Sequence, residues 1–347
     1  MQAIPHSRPW ITEADQQAVA EVLATHMLAH GTVTAKLERR LSEWVGASGG
    51  VAAGSGSAAL VLALGGLGVG KGDEVILPAY VCASVLEAVR TVEATPVLCD
   101  VGEDWVVTAQ DAARRRTGRT KAMIVPHMYG VFADLDSFRS LGVPLIEDCA
   151  QAVDAKGRRR LGGDVAIFSF HPTKCLTSGE GGVAVAADPA TAERMRVLRD
   201  GARDRSRGRL FSPLSNIAAA LALSQLERFS EMLDRRKRLA ARYAEALAKV
   251  RPECLNRRAL EHSMFFRFPV RVRGGLESCQ AAFLKDGIHV RKGVDELLHR
   301  TSNLADDDFP ISVRHFDSTV SLPIYPALTP QEEDHCVERA AAILGRR

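Results

Sequence analysis

Six short runs rich in Val, Ile and Leu punctuate the chain between Ser55 and Val185, at residues 74–77, 96–99, 122–125, 144–147, 166–170 and 183–186, with helical stretches and turns between them. Runs this uniformly apolar suit strands covered on both faces, which a parallel sheet flanked by helices provides and a sheet with one wet face does not. The pattern predicts an α/β fold with a largely parallel sheet. Ligands of such sheets collect outside the carboxyl ends of the strands, so the residues just after each run are where chemistry is sought.

The rhythm then changes. Residues 221–250 read as one long amphipathic helix carrying Glu231, Arg235, Arg236, Lys237 and Arg238, suited to joining two units with its charged face in solvent. Beyond it, 265–272 alternates as a strand, while 278–285 and Pro330–Leu344 read as helices. At 347 residues the chain exceeds the usual size of one core. The expected division is a large domain over 1–235 and a small α+β domain over 236–347, the first thirty residues packing across both or onto the small one. Residues 207–213 and 303–310 read as loops.

Composition excludes several classes. A net charge of +3 is too small for nucleic acid to be the main partner. No apolar run approaches the roughly 20 residues that cross a bilayer, so a cytoplasmic protein with no membrane partner is expected. Seven scattered cysteines without a Cys-x-x-Cys pair fit reduced thiols. His26 and His30 have helical spacing, but Met27 stands where a metalloprotease needs Glu, and no metal is expected.

Three elements carry chemistry. Lys174 and its neighbours Ser169 and His171 follow the run at 166–170 and precede a glycine-rich turn, so an apolar strand delivers an amine into a confined loop. A desolvated lysine is a nucleophile toward aldehydes. Asp148 ends the run at 144–147, with Gln151 three residues on; a carboxylate there can pair with the pyridine nitrogen of pyridoxal phosphate. Residues 54–57, Gly-Ser-Gly-Ser, open an Ala/Leu-rich helix whose free N–H groups suit a phosphate. Singly, each has a plain alternative: a solvated lysine, a helix-capping aspartate, an ordinary N-cap. Their order within one α/β domain supplies the needs of one cofactor.

These residues resemble the DegT/DnrJ/EryC1/StrS family of sugar aminotransferases, enzymes of the pyridoxal-phosphate transferase fold (aspartate aminotransferase-like, fold type I). The likeness is carried by AAGSGSAALVLAL (52–64), GKGDEVILPAY (70–80), PHMYGVFADLD (126–136), LIEDCAQAVDA (145–155), GGDVAIFSFHPTKCLTSGEGG (162–182), ALALSQLERF (220–229) and SLPIYPALT (321–329). It implies a three-layer large domain, pyridoxal phosphate joined to Lys174 as a Schiff base, and Asp148 on the pyridine nitrogen. It further implies Gln151 on the phenolic oxygen, and Gly56, Ser57 and Ser169 on the phosphate. A homodimer is implied, as is transfer of an amino group from glutamate or glutamine to a keto-sugar, nucleotide-linked or a related cyclitol.

The chain departs from the pattern in places. Cys82 holds the position where an aromatic residue usually stacks on the ring; Cys82 and Tyr80 are both expected among the cofactor-binding residues, Tyr80, two residues earlier, either compensating for the missing aromatic or not. FSPLS at 211–215 lacks the partner-site asparagine, with Asn216 closer to the helix, and Tyr325 replaces a common His. Lys174 itself argues against the dehydratase branch, which carries His there. Rival readings are another pyridoxal-phosphate reaction on this scaffold and a cofactor-binding protein without turnover. Arg196, Arg199, Arg203, Arg205, Arg207 and Arg209 form either a contact for a nucleotide diphosphate or a basic surface loop.

Overall fold

The computed structural model describes residues 3–153, 161–201 and 212–346. Its main sheet has seven strands: β1 (Gly49–Ala53), β2 (Glu74–Pro78), β3 (Thr95–Cys99), β4 (Thr120–Pro126), β5 (Leu145–Asp148), β6 (Val165–Ser169) and β7 (Gly182–Ala186). They lie in the order β1-β7-β6-β5-β4-β2-β3. Strands β3, β2, β4, β5 and β6 run parallel to one another, and β7 is antiparallel to both β6 and β1. All six predicted runs fall in this sheet.

β1 was not foreseen, because Gly-Gly-Val-Ala-Ala has one β-branched residue and no strand signal. Packing explains its small residues. A Cβ on Gly50 would lie 2.8 Å from Ser42 Oγ and 2.9 Å from the Glu38 carbonyl, so a preceding helix rests directly on the strand's backbone.

In chain order the helices are α1 (Glu13–Ala24), α2 (Thr32–Val45), α3 (Gly56–Gly66), α4 (Ala83–Thr91), α5 (Ala109–Arg115), α6 (Pro189–Asp200) and α7 (Asn216–Glu227). They continue with α8 (Phe229–Val250), α9 (Arg257–His262), α10 (Gly275–Lys285), α11 (Leu298–Thr301), α12 (Pro310–Ser318) and α13 (Pro330–Leu344). Successive strand residues point to opposite faces and separate into two cores. Val51, Val165, Ile167 and Ala184 pack with α3 and α4, whereas Ala52, Ala166, Phe168, Val183 and Val185 pack with α2 and α7. The result is three layers, with the sheet in the middle.

A second sheet, β8 (Phe268–Arg271), β9 (Arg291–Lys292) and β10 (Thr319–Leu322), is antiparallel in the order β8-β10-β9. The helix expected as one piece over 221–250 is two. Arg228 breaks it, and its guanidinium is held 2.5 Å from the buried Asp15 carboxylate of α1. Along α8, Phe229, Met232 and Leu233 join a core of the large sheet, while Leu239, Tyr243 and Leu247 join that of the small sheet. The amino terminus is shared similarly: Ile4 pairs with Ile288 in the small-sheet core, and Asp15 of α1 accepts a hydrogen bond from Ser224 of α7 at 2.7 Å. The expected loop at 303–310 contains a 3-10 turn at Asp306–Asp308 and runs into α12.

Candidate active site

The carboxyl ends of β5 and β6, the amino terminus of α3 and a loop of the small sheet enclose a cavity of about 410 Å³. Ser55 caps α3, its hydroxyl accepting from Ala58 N at 3.1 Å and its carbonyl from Ala59 N at 3.0 Å. Gly56 and Ser57, in the helix's first turn, therefore keep N–H groups without a helical acceptor, at the positive end of the helix dipole. Ser169 closes on this turn: a Cβ on Gly56 would lie 2.7 Å from Ser169 Cβ and 2.8 Å from its Oγ. Gly182 at the start of β7 is equally constrained, since a Cβ there would fall 2.6 Å from Ser55 O. Backbone N–H and hydroxyl groups converge on this turn, the donors that a phosphate takes at a helix amino terminus.

Asp148, the last residue of β5, is buried, and its Oδ1 accepts from Ala150 N at 2.9 Å. It caps a turn; no helix begins there. Burial pushes its pKa up, opposed by that N–H and by the charge of the Lys174 amine. Lys174 lies half-buried on the same cavity, its Nζ 5.5 Å from the centre of the Phe266 ring. Burial pushes its amine pKa down, and the Asp148 carboxylate pulls it back up. More of the amine is thus neutral near pH 7 than in a free lysine, as a nucleophile requires.

A buried brace stands behind Asp148. His127 Nδ1 accepts from Ala133 N at 3.1 Å, which puts the ring proton on Nε2, 3.1 Å from Glu147 Oε2. The other Glu147 oxygen accepts from Gly162 N and Gly163 N at 2.6 and 2.7 Å. Cys149 joins this cluster, whose ligand-type atoms lie within 4.8 Å of one another. With both His127 nitrogens and both Glu147 oxygens engaged, it reads as a hydrogen-bonded support for the ends of β4 and β5.

Gln151 borders the cavity with its carbonyl oxygen committed to Tyr129 N at 2.8 Å, leaving the amide N–H groups, one near Met128 Sδ at 3.7 Å, as donors. Tyr129 holds a left-handed conformation, φ 56°, to present that N–H. Cys82 caps α4 on the cavity wall, 3.0 Å from Ser84 Oγ. Tyr80 requires correction. It is absent from the wall, fully buried, with its hydroxyl 2.8 Å from that of Tyr129 and its ring edge-on to His315. These partners hold it in the core, so it cannot stand in for the aromatic missing at Cys82.

The arginine cluster also divides. Arg199 is buried, donating to Glu38 Oε1 at 2.5 Å, to Ala52 O at 3.1 Å and to Asp200, which makes it a structural clamp and removes it from nucleotide binding. Arg196 pairs with Glu193 one helical turn away. Arg203, Arg205, Arg207 and Arg209 lie outside the described residues. Asn216 is buried and occupied by Thr34 N and Met27 O. Sequence reasoning missed Phe266, Arg267, Arg291 and Gly293, which reach the cavity from the small sheet and the loop after it. No local signal marks them, apart from the alternation of 265–272.

The fold is shared with solved structures, several of them named as aminotransferases. The chain is 29% identical to the aminotransferase TlmJ of Streptoalloteichus hindustanus, covering 99% of both chains with a TM-score of 0.89. It is 28% identical to DesV of S. venezuelae, solved with a ketimine intermediate, covering 98% of this chain and 99% of that one with a TM-score of 0.86. A Streptococcus pneumoniae protein named for a proposed sugar aminotransferase role, in its PMP form, matches at 26% identity and a TM-score of 0.91, over 99% and 98% of the two chains. The model of the DegT/DnrJ/EryC1/StrS aminotransferase family matches residues 9–340, taking in the α3 turn, Asp148 and Lys174, and the chain belongs to that family.

Proposed function

We propose that this pyridoxal-phosphate-dependent aminotransferase moves the amino group of glutamate or glutamine to the carbonyl of a keto-sugar, nucleotide-linked or a related cyclitol. The observation that carries this reading is the meeting of Lys174, Asp148 and the open amino terminus of α3 on one cavity. Pyridoxal phosphate, when bound, supplies an aldehyde carbon and a ring that accepts electrons. The N–H groups of Gly56 and Ser57 and the Ser169 hydroxyl hold its phosphate. Asp148, buried and hydrogen-bonded to Ala150 N, would pair with the ring's pyridine nitrogen and favour its protonated form. Gln151 donates from its amide to the phenolic oxygen, because its carbonyl oxygen is already used.

Lys174 anchors the cofactor. With the cofactor's aldehyde engaged by a donor amine, the freed Lys174 amine would be the base placed to move a proton at the reacting carbons, a role its lowered pKa favours. The Streptococcus pneumoniae relative named for a sugar aminotransferase role supports a sugar ketone as the acceptor, and the resemblance to the family supports a homodimer with sites at the subunit interface. Cys82, in place of an aromatic on the cavity wall, and the changed segment at 211–215 favour the rival reading of another reaction on the same scaffold.

Purified protein should be yellow, and glutamate or glutamine should bleach it. Borohydride should fix the cofactor to the wild type but not to Lys174→Ala. A yellow protein that no amino acid bleaches would remove the transaminase reading, and a covalent adduct surviving Lys174→Ala would remove Lys174. Screening keto-sugars against the bleached form identifies the acceptor.

A further inference from the structure

His171 and Glu180 stand apart from the groups assigned to the cofactor, and the strand register brings them together on the wall of the active-site cavity. β6 and β7 pair antiparallel from Val165↔Ala186 to Ser169↔Gly182. Beyond them Phe170 N donates to Gly181 O at 2.9 Å, so one step further His171 faces Glu180 across the base of the loop that carries Lys174. Gly181 lets the loop close there: its φ is 151°, and a Cβ would lie 2.6 Å from Ser178 Oγ.

The two side chains present opposite hydrogen-bonding characters. Thr173 N donates to His171 Nδ1 at 3.3 Å, and Thr173 Oγ1 lies 2.9 Å from the same nitrogen, which puts the ring proton on Nε2. Nε2 stands 4.0 Å from Glu180 Oε1, beyond the reach of a hydrogen bond. Among the described residues, Nε2 donates to no acceptor and the Glu180 carboxylate takes no hydrogen bond. A pair this long and this open to solvent contributes little to stability, so little is lost when a ligand comes between its members. An oxygen about 2.8 Å from both atoms would see them roughly 90° apart, an angle that an O–H and a lone pair of one hydroxyl can meet.

Chemistry narrows the occupant. The Nε2–H needs an acceptor and the carboxylate a donor, and a hydroxyl is both at one atom. Glu180 repels a carboxylate or a phosphate, while an ammonium or a ketone oxygen satisfies only one side of the pair. Glutamate and glutamine carry no hydroxyl, so the group read here belongs to the acceptor. We propose that His171 and Glu180 together bind one hydroxyl of the acceptor and select a polyhydroxylated ketone over its deoxy analogues. This rests on the sugar-ketone reading above and adds to it the substituent by which the acceptor is recognised.

The test starts from holoenzyme bleached with glutamate and freed of excess donor, and follows the return of yellow colour in wild type, His171→Phe and Glu180→Leu. The probes are a keto-cyclitol and a nucleotide-linked ketohexose, each beside its analogues with one hydroxyl replaced by hydrogen. Wild type should favour the parent ketone over one monodeoxy analogue by roughly tenfold in second-order rate constant, the low end for a charge-assisted hydrogen bond because both side chains stay open to water. Each variant should lose about that factor toward the parent and nothing further toward that analogue, a coupling that a merely structural pair lacks. Bleaching by glutamate should keep its concentration dependence. If wild type treats every monodeoxy analogue as it treats the parent, the proposal is overturned; should a variant lose its cofactor, this wild-type comparison alone decides. Equal losses toward the parent and all its analogues would make the pair a loop brace and overturn the proposal as well. Both of these results leave the transaminase reading standing. If glutamate fails to bleach wild type, or no hydroxylated ketone restores its colour, that reading falls and takes the proposal with it.

Discussion

Gly56→Ala tests the phosphate cradle most directly. The position opens a helix and has no positive φ, so alanine suits its backbone, and on propensity alone the change is harmless or mildly favourable. What opposes it is Ser169, whose Cβ and Oγ would lie 2.7 and 2.8 Å from the new methyl, with its Cα at 3.4 Å. Overpacking of this kind costs about 1–3 kcal/mol, which lowers cofactor affinity roughly 5- to 150-fold if the turn opens to relieve it. Ser169→Gly removes the clashing atoms along with one hydroxyl donor to phosphate, itself worth about 1.5–3 kcal/mol. Without coupling, the double variant would lose about 2.5–6 kcal/mol. With the clash gone it should lose no more than Ser169→Gly alone. The assay is a double-mutant cycle on cofactor dissociation, read from the yellow absorbance after dialysis against graded pyridoxal phosphate. Strictly additive losses, or a Gly56→Ala variant as tight as wild type, would refute the packing argument.

Gly293→Ala places a methyl between the paired hydroxyls of Tyr80 and Tyr129, both buried, and should lower the unfolding free energy by about 1–3 kcal/mol, with Tyr80→Phe recovering part of it in thermal melts. Arg199→Met leaves Glu38 buried without its cation and should cost about 3–5 kcal/mol in urea unfolding while leaving substrate affinity intact; the reverse result would return Arg199 to nucleotide binding. Burial lowers His315 from 6.5 to about 4, and its Nδ1 has no hydrogen-bond partner among the described residues. The unfolded chain then takes up a proton that the fold refuses. Stability is full above about 6.5 and falls by up to about 3 kcal/mol as the pH drops toward 4. His315→Gln should flatten part of that slope in urea midpoints between pH 7 and 4.5. His6, lowered to about 3 chiefly by burial, maintains the remainder.

Much of the architecture was legible because its signals are local. The six apolar runs became strands of the main sheet, since a strand buried on both faces must be apolar along its own length. Lys174 and Asp148 could be singled out because each follows such a run, and the carboxyl ends of the strands open onto one cleft. The turn at 54–57 was equally visible, as a cap and two glycines before a helix. β1 was not, because its small residues serve a helix pressed on its backbone and leave no β-branched signature.

What the tertiary structure alone decided are the contacts between distant segments. Tyr80 sits two residues from Cys82, yet one side chain turns into the core toward Tyr129 and the other faces the cavity, a choice made by partners some fifty positions away. Arg199 and Arg196 look alike in sequence; one is a buried clamp on β1 and the other a surface charge. Arg267 and Arg291 line the same cavity as Lys174 because the small sheet is docked against the large one. Hydrophobic patterning reports how deeply a segment is buried, but which side chains share a cleft depends on how separately patterned units pack together, and no local run of residues records that.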